Sequence, residues 1–344
     1  MPLTAKHVNI GIVGLGKMGI LHAGILNALP GCKLVAITEK EGLLVRFAKK
    51  LLPDMKFYSN VTKMLAKENL DVVYVTTPIS THLSIIEEIA STQDGIALFM
   101  EKPLAGTLED AKEITNLSKE HRLNSMMGFQ KRFSPIFQRA KQMLEARTLG
   151  EVKSFTAYSF VSGIFSEGRG WRFESGQGGA LLDLGPHLFD LLIWYFGEPT
   201  YAEGSTRSIY SRDVDDRAHG NLRFESGIVG SFDVSWSVEG YRLPEIGIEV
   251  AAKYGTLRVT DDYLMIEVNP DAPNMKAGKY HYSKPEFNMG VDFLIGDPEF
   301  CAEDKYFVEC VSNQEHPEPD FKAGLRVNNV IEKIRNSTSA ERIK

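Results

Sequence analysis

Apolar and polar positions follow two different rhythms along this chain. In the first third, short β-rich runs lie at Val8–Val13, Lys33–Thr38, Lys56–Tyr58, Asp71–Thr76, Ile96–Met100 and Asn124–Gly128. Between them come helical stretches at Met18–Leu29, Leu43–Leu51, Val61–Lys67, Ser80–Ser91 and Leu108–His121. Such regular alternation predicts right-handed βαβ units on a parallel sheet. The runs IGIV, VVYV and IALFM suit strands covered on both faces.

Near Gly128 the rhythm changes. A helix is expected from Pro135 to about Ala146, then a long β-rich run, Glu151–Gly163. In SFDVSW, Phe232, Val234 and Trp236 alternate with Ser231, Asp233 and Ser235. A period of two buries one face and leaves the other polar. Leu257–Val268 reads as two strands joined at Asp261-Asp262, Asn269–Pro285 as loop, and Ala323–Asn336 as a closing helix. The fold class expected is therefore α/β. A parallel-sheet domain over 1–127 precedes a sheet-dominated α+β domain over 128–344.

Composition narrows the partners. A net charge of −6 gives no electrostatic reason to expect nucleic acid or an anionic membrane. No run approaches the ~20 apolar residues of a membrane span. Cys32, Cys301 and Cys310 are odd in number and lack metal-ligand spacing, as expected of a reduced, cytoplasmic protein.

The first chemistry-bearing motif is GLGKMG, Gly14–Gly19, between the first strand and the first helix. There Gly14 permits a tight turn, Gly16 a close approach to a pyrophosphate, and Gly19 close helix–strand packing. The helix N-terminus beginning at Lys17-Met18 offers amide groups to the phosphates. Glu39 ends the second strand roughly 20 residues beyond Gly19, where an acid binds the ribose 2′-hydroxyl. This favours NAD, while the adjacent Lys40 leaves NADP open.

The strand Ile96–Met100 runs into Glu101-Lys102-Pro103. Ligands of open α/β sheets sit at strand carboxyl ends. Lys102 is thus placed either to serve a substrate hydroxyl or to be a solvated strand-end lysine. Farther on, GGALLDLGPHLFD (Gly178–Asp190) sets Asp183, His187 and Asp190 into an otherwise apolar segment. Pro186 starts a helix that Gly197 stops. One reading has His187 in its first turn, kept neutral by the helix pole and able to act as general base, with Asp190 one turn on. The other is a satisfied core histidine with two acids favouring the helix dipole.

Taken together, GLGKMG, Thr76-Thr77-Pro78 with His82, Glu101-Lys102-Pro103, GFQKRFSP (Gly128–Pro135), Gly150–Val152, Trp171-Arg172 and GGALLDLGPHLFD resemble the Gfo/Idh/MocA family of oxidoreductases. Glucose–fructose oxidoreductase and inositol dehydrogenases belong to that family. The resemblance spans essentially the whole chain. It implies an N-terminal Rossmann domain and a C-terminal domain whose open, mostly antiparallel sheet forms a homodimer or homotetramer. It also implies Lys102, Asp183 and His187 as the catalytic group. Thr76–Pro78 and His82 would lie along the cofactor, with Glu101 near its nicotinamide end. Lys131, Arg132, Tyr158, Trp171, Arg172, Asp190 and Tyr241 would line a pocket for a sugar, nucleotide sugar or cyclic polyol. Many members carry Asn-Arg-Arg where this chain has Gln130, Lys131 and Arg132. Lysine does not reproduce a bidentate arginine contact. Within the same resemblance, an NAD-dependent redox-neutral glycosidase and a dinucleotide-sensing regulator remain alternatives to a dehydrogenase.

Overall fold

The computed structural model describes residues 7–287 and 295–337. Its chain divides into two compact units. The first runs to Gln130 and takes back a later segment ending at Leu325; the second starts at Lys131 and resumes at Arg326.

The first unit contains β1 (Val8–Val13), α1 (Lys17–Ala28), β2 (Cys32–Thr38), α2 (Gly42–Leu51), β3 (Lys56–Tyr58), α3 (Val61–Lys67), β4 (Val72–Val75), α4 (His82–Ala90), β5 (Ala97–Glu101), α5 (Leu108–Glu120) and β6 (Asn124–Gly128). All strand pairs are parallel, in the order β3-β2-β1-β4-β5-β6. The apolar runs fill the middle of the sheet: Ile10, Ile12, Val72, Val73, Leu98 and Phe99 are fully buried. Helix starts follow local chemistry. Asn60 accepts the Lys63 amide and Thr107 the Asp110 amide, each satisfying a donor with no partner inside the helix. Strand order reverses direction between β1 and β4, the switch point where such sheets bind ligands.

The second unit contains α6 (Pro135–Glu145), β7 (Val152–Phe160), α7 (Ala180–Asp183), α8 (Gly185–Phe196), β8 (Pro199–Arg207), β9 (Arg217–Phe224), β10 (Val229–Ser235), β11 (Glu245–Ala252), β12 (Gly255–Thr260), β13 (Tyr263–Val268) and β14 (Gly278–Ser283). The sheet order is β14-β13-β12-β11-β7-β10-β9-β8, antiparallel except where β7 meets β10. The alternation read in SFDVSW holds from Ser231 to Val234; Ser235 is buried as well, its hydroxyl donating to the Asp216 carbonyl. Phe232 packs edge-on against Phe189 of α8, with ring centroids 5.1 Å apart.

Two expectations need correction. Residues 269–285 are not wholly loop: β14 pairs with β13 from Gly278 to Ser283, a strand whose polar sequence hides its edge position. The second domain does not hold the rest of the chain. Helix α9 (Pro298–Asn313) packs on α1 in the first unit, and α10 (Phe321–Ser337) begins there. The uncovered face of the second sheet is polar: it presents Thr156, Tyr158, His219, Ser231 and Asp233 around a concavity of about 530 Å³.

Candidate functional site

The glycine turn after β1 is built by contacts that leave Gly14 and Gly19 no substitute. A Cβ on Gly19 would lie 2.0 Å from the carbonyl oxygen of Gly14, and Gly14 itself has φ +95°. Thr76 ties the turn down by donating its hydroxyl to that same carbonyl at 2.8 Å. Gly16 is different: nothing lies within 4 Å of where its Cβ would be. The turn is tight where helix meets strand and open where α1 begins without a side-chain cap. A diphosphate has room and unclaimed helix-start amides there, so the residues present fit a dinucleotide. Lys17 is exposed and Met18 half-buried at this entrance.

Glu39 reaches the turn directly. One carboxylate oxygen accepts the Leu15 amide at 2.7 Å and the other the Glu41 amide at 2.7 Å. Lys40 beside it is exposed. The Thr-Thr-Pro loop stands at the end of β4, with Thr81 donating to the Thr77 hydroxyl and the Pro78 carbonyl. His82 is buried, and its ring nitrogens face the Leu104 carbonyl at 3.2 Å and the Thr77 carbonyl at 3.1 Å. Burial lowers its pKa, against the two backbone carbonyls, which favour the protonated ring. It staples two loops of the turn region, joining the Thr77 carbonyl to the Leu104 carbonyl.

Glu101 is likewise held from inside the unit. It is 8% exposed, its Oε1 meets His22 Nε2 at 3.1 Å, and its Oε2 accepts the main-chain amide of Lys102 at 3.1 Å. Lys102 is half-buried at the carboxyl end of β5, joined to Pro103 by a cis peptide bond.

In the second unit, the Gly178-Gly179 pair explains how the apolar segment starts. A Cβ on Gly178 would lie 2.0 Å from the Arg172 carbonyl; Gly179 has φ +103° and abuts the Asp215 carboxylate. Asp215 accepts the Leu181 amide at 2.8 Å, which anchors the first turn of α7. Burial pushes the Asp215 carboxyl up to about 6, against the Leu181 amide and Arg335, which favour its ionised form. Asp183 ends α7 and accepts from Arg172 Nε at 3.1 Å. The Arg172 guanidinium lies 5.0 Å from the Trp171 ring centre. Leu184 keeps right-handed helical backbone, φ −96° and ψ −35°, between α7 and α8. The pole invoked for His187 is therefore spread over two linked helices rather than concentrated at one open end. His187 is half-buried one turn beyond Asp183, and its Nδ1 is enclosed by protein.

Several expected substrate residues have other work. Both oxygens of the buried Asp190 accept from Arg132, Nε at 2.8 Å and Nη2 at 2.6 Å, so Asp190 neither orients His187 nor is open to substrate. Burial raises the Asp190 carboxyl despite the opposing Arg132 charge. Lys131 pairs with Asp261. Tyr158 shares the uncovered sheet face with Asp233, its pairing neighbour, and donates to Glu245. Tyr241 stacks edge-on against Tyr158 and Phe160 on that face. The helices α7 and α8 pack on the opposite face, against Phe232 and its neighbours. Tyr158 and Tyr241 are thus separated by the sheet from Asp183 and His187. Trp171, Arg172, Asp183 and His187 remain as one neighbourhood.

A family model described as an oxidoreductase family with an NAD-binding Rossmann fold matches residues 8–129. A second, the GFO/IDH/MocA C-terminal domain, matches residues 137–258. The chain belongs to the GFO/IDH/MocA family. Among curated GFO/IDH/MocA relatives, a Bacillus subtilis scyllo-inositol 2-dehydrogenase (NAD(+)) is 27% identical, over 90% of this chain and 88% of that protein. A Thermotoga maritima myo-inositol 2-dehydrogenase is 29% identical over 68% of this chain and 70% of its own length. A levoglucosan dehydrogenase solved with NADH superimposes with a TM-score of 0.86 at 23% identity, covering 96% of both chains, and so shares the fold. The chain is accordingly an NAD-binding oxidoreductase with the two-domain fold of this family.

The sequence left two contributors unmarked. His22 and Asp304 stand in the buried interior of the first unit with Glu101. Their signal was positional: Gly19, His22, Ala23 and Leu26 form one helical stripe, and so do Glu303, Asp304, Phe307 and Val308.

Proposed function

We propose that this protein oxidises a secondary hydroxyl of a sugar or cyclic polyol with NAD, or runs the reverse reduction, in the cytoplasm. It would act as a dimer or tetramer built on the polar face of its second sheet. The observation that carries this reading is the placement of two features on one sheet. The pyrophosphate turn stands at the carboxyl end of β1 and Lys102 at the carboxyl end of β5, both at the edge where such sheets hold ligands.

Glycines 14, 16 and 19, the first turn of α1, Glu39 and the Thr76–Pro78 loop would hold the dinucleotide. When bound, its nicotinamide supplies the hydride acceptor. The chain does the rest. Lys102 donates from its ammonium group to the substrate oxygen and stabilises the negative charge that grows there. His187 takes the hydroxyl proton at Nε2, the ring nitrogen opposite its enclosed Nδ1. Asp183, held by Arg172, orients the neighbouring substrate hydroxyl and balances the cationic groups. The Glu39 carboxylate beside the turn disfavours a 2′-phosphate, which supports NAD over NADP. Relatives named for inositols and levoglucosan support a cyclic polyhydroxy substrate.

The test is net reduction. The purified protein is incubated with NAD and, in turn, scyllo-inositol, myo-inositol, levoglucosan and nucleotide sugars, and absorbance of the reduced cofactor is followed. A dehydrogenase accumulates NADH with one class of polyol. Glycoside cleavage without NADH would replace this reading with a redox-neutral hydrolase. Dinucleotide binding without turnover of any compound would point to a regulator.

A further inference from the structure

We propose that Asp304, His22 and Glu101 form a buried positioning chain that fixes Lys102 relative to the dinucleotide-binding helix. This rests on the reading of Lys102 given above. The three residues come from α9, α1 and the end of β5. Nδ1 of His22 lies 2.9 Å from each oxygen of Asp304, and Nε2 lies 3.1 Å from Oε1 of Glu101. His22 and Asp304 are fully buried. A histidine with a carboxylate on each ring nitrogen donates to both only as an imidazolium. Burial opposes that charge, but the Asp304 and Glu101 carboxylates more than offset it and hold the ring well above the ordinary histidine range. The rings of Phe99 and Tyr74 lie 4.9 Å and 5.5 Å from the imidazole and enclose it.

The consequence falls on Glu101. One of its oxygens is held by His22 and the other holds the Lys102 amide at 3.1 Å. A carboxylate next in sequence to a lysine is a ready local partner for the lysine ammonium. Here it is turned into the interior and used as a main-chain clamp. Gly128 of β6 closes the arrangement, since a Cβ there would sit 3.4 Å from the Glu101 carboxyl carbon. His22 also lies on the helix whose first turn takes the pyrophosphate. One rigid connection therefore runs from cofactor to lysine, and errors of about 1 Å in such placement cost about a hundredfold in rate. In these terms His22, Asp304 and Glu101 are positioning residues.

The test compares wild type with His22→Asn, Glu101→Gln and Asp304→Asn as full-length protein. Stoichiometry and affinity of NADH are measured first, then, with saturating NAD as the hydride acceptor, KM and kcat for the polyol the wild type oxidises, and crystal structures locate the Lys102 backbone. His22→Asn and Glu101→Gln should bind one NADH per chain with Kd within about threefold and show little change in KM. Their kcat should fall about tenfold or more, with Lys102 displaced. Asp304→Asn should reproduce a smaller fall. Wild-type kcat per NADH site, or an unmoved Lys102, would overturn the proposal. So would loss of NADH binding in all three variants, which would make the cluster a folding element. Lys102→Ala run in parallel separates the two readings. If it keeps turnover, the assignment of Lys102 fails, while the crystallographic position of the main chain at 102 still judges the clamp.

Discussion

Gly16 and Gly19 sit three residues apart in one motif and fail for different reasons when substituted. At Gly19 an added methyl meets backbone oxygen at 2.0 Å; at Gly16 it meets nothing within 4 Å. Gly19→Ala should therefore lower stability by on the order of 1–3 kcal/mol in urea unfolding. Gly16→Ala should leave the midpoint unchanged and weaken NAD binding about tenfold by titration calorimetry, because that open space is the one proposed for the pyrophosphate. Asp215 gives a pH signature at the same scale. Its folded pKa of about 6 exceeds the ordinary aspartate value, so the native state holds the proton more tightly than the unfolded chain. Stability from this group is present below the unfolded pKa and falls as pH rises through about 6. Asp215→Asn, which can still accept the Leu181 amide, should gain in melting temperature relative to wild type between pH 4 and pH 7. A constant difference across that range would contradict the assignment. Single residues were legible in the sequence where the backbone demands them, as at Gly14 and Gly19. They were illegible where a distant partner defines the role. Nothing near Asp190 in the chain announces Arg132. By contrast, the face of Tyr158 could be read: Phe155, Ala157 and Ser159 are buried, which puts Thr156, Tyr158 and Phe160 on the other side.

Among elements, the ion pair Arg132–Asp190 ties the turn before α6 to the second turn of α8. Its side chains are 10% and 2% exposed. Removing one member leaves a buried charge without its partner, which costs more than the pair contributes. Asp190→Ala should lose about 3–5 kcal/mol in chemical denaturation, and pairing it with Arg132→Met should recover most of that. The βα units were readable because each is closed by its own short-range pattern: an apolar run, a cap such as Asn60 or Thr107, an amphipathic helix. Helix α9 was not, because its buried face mixes Glu299, Glu303 and Asp304 with Cys301 and Phe307. A charged stripe reads as solvated until His22 is known to meet it.

For the molecule as a whole, the polar uncovered sheet face would make the proposed assembly a matter of hydrogen bonds and charge pairs rather than apolar burial. Sedimentation should give a mass of two or four chains. Ser231→Arg, on an exposed position between Thr156 and Asn221 on neighbouring strands, should yield monomers that still bind NADH. A monomeric wild type would contradict this arrangement. In the proposed mechanism the Lys102 ammonium group, just past the end of β5, serves hydride transfer to a dinucleotide held by the β1 turn. The most direct measurement is Lys102→Ala assayed for NADH formation and, separately, for NAD affinity. The account predicts a fall in kcat of about 10²–10⁴ or more with Kd for NAD within about threefold. Turnover at the wild-type rate in a protein that binds NAD normally would contradict it.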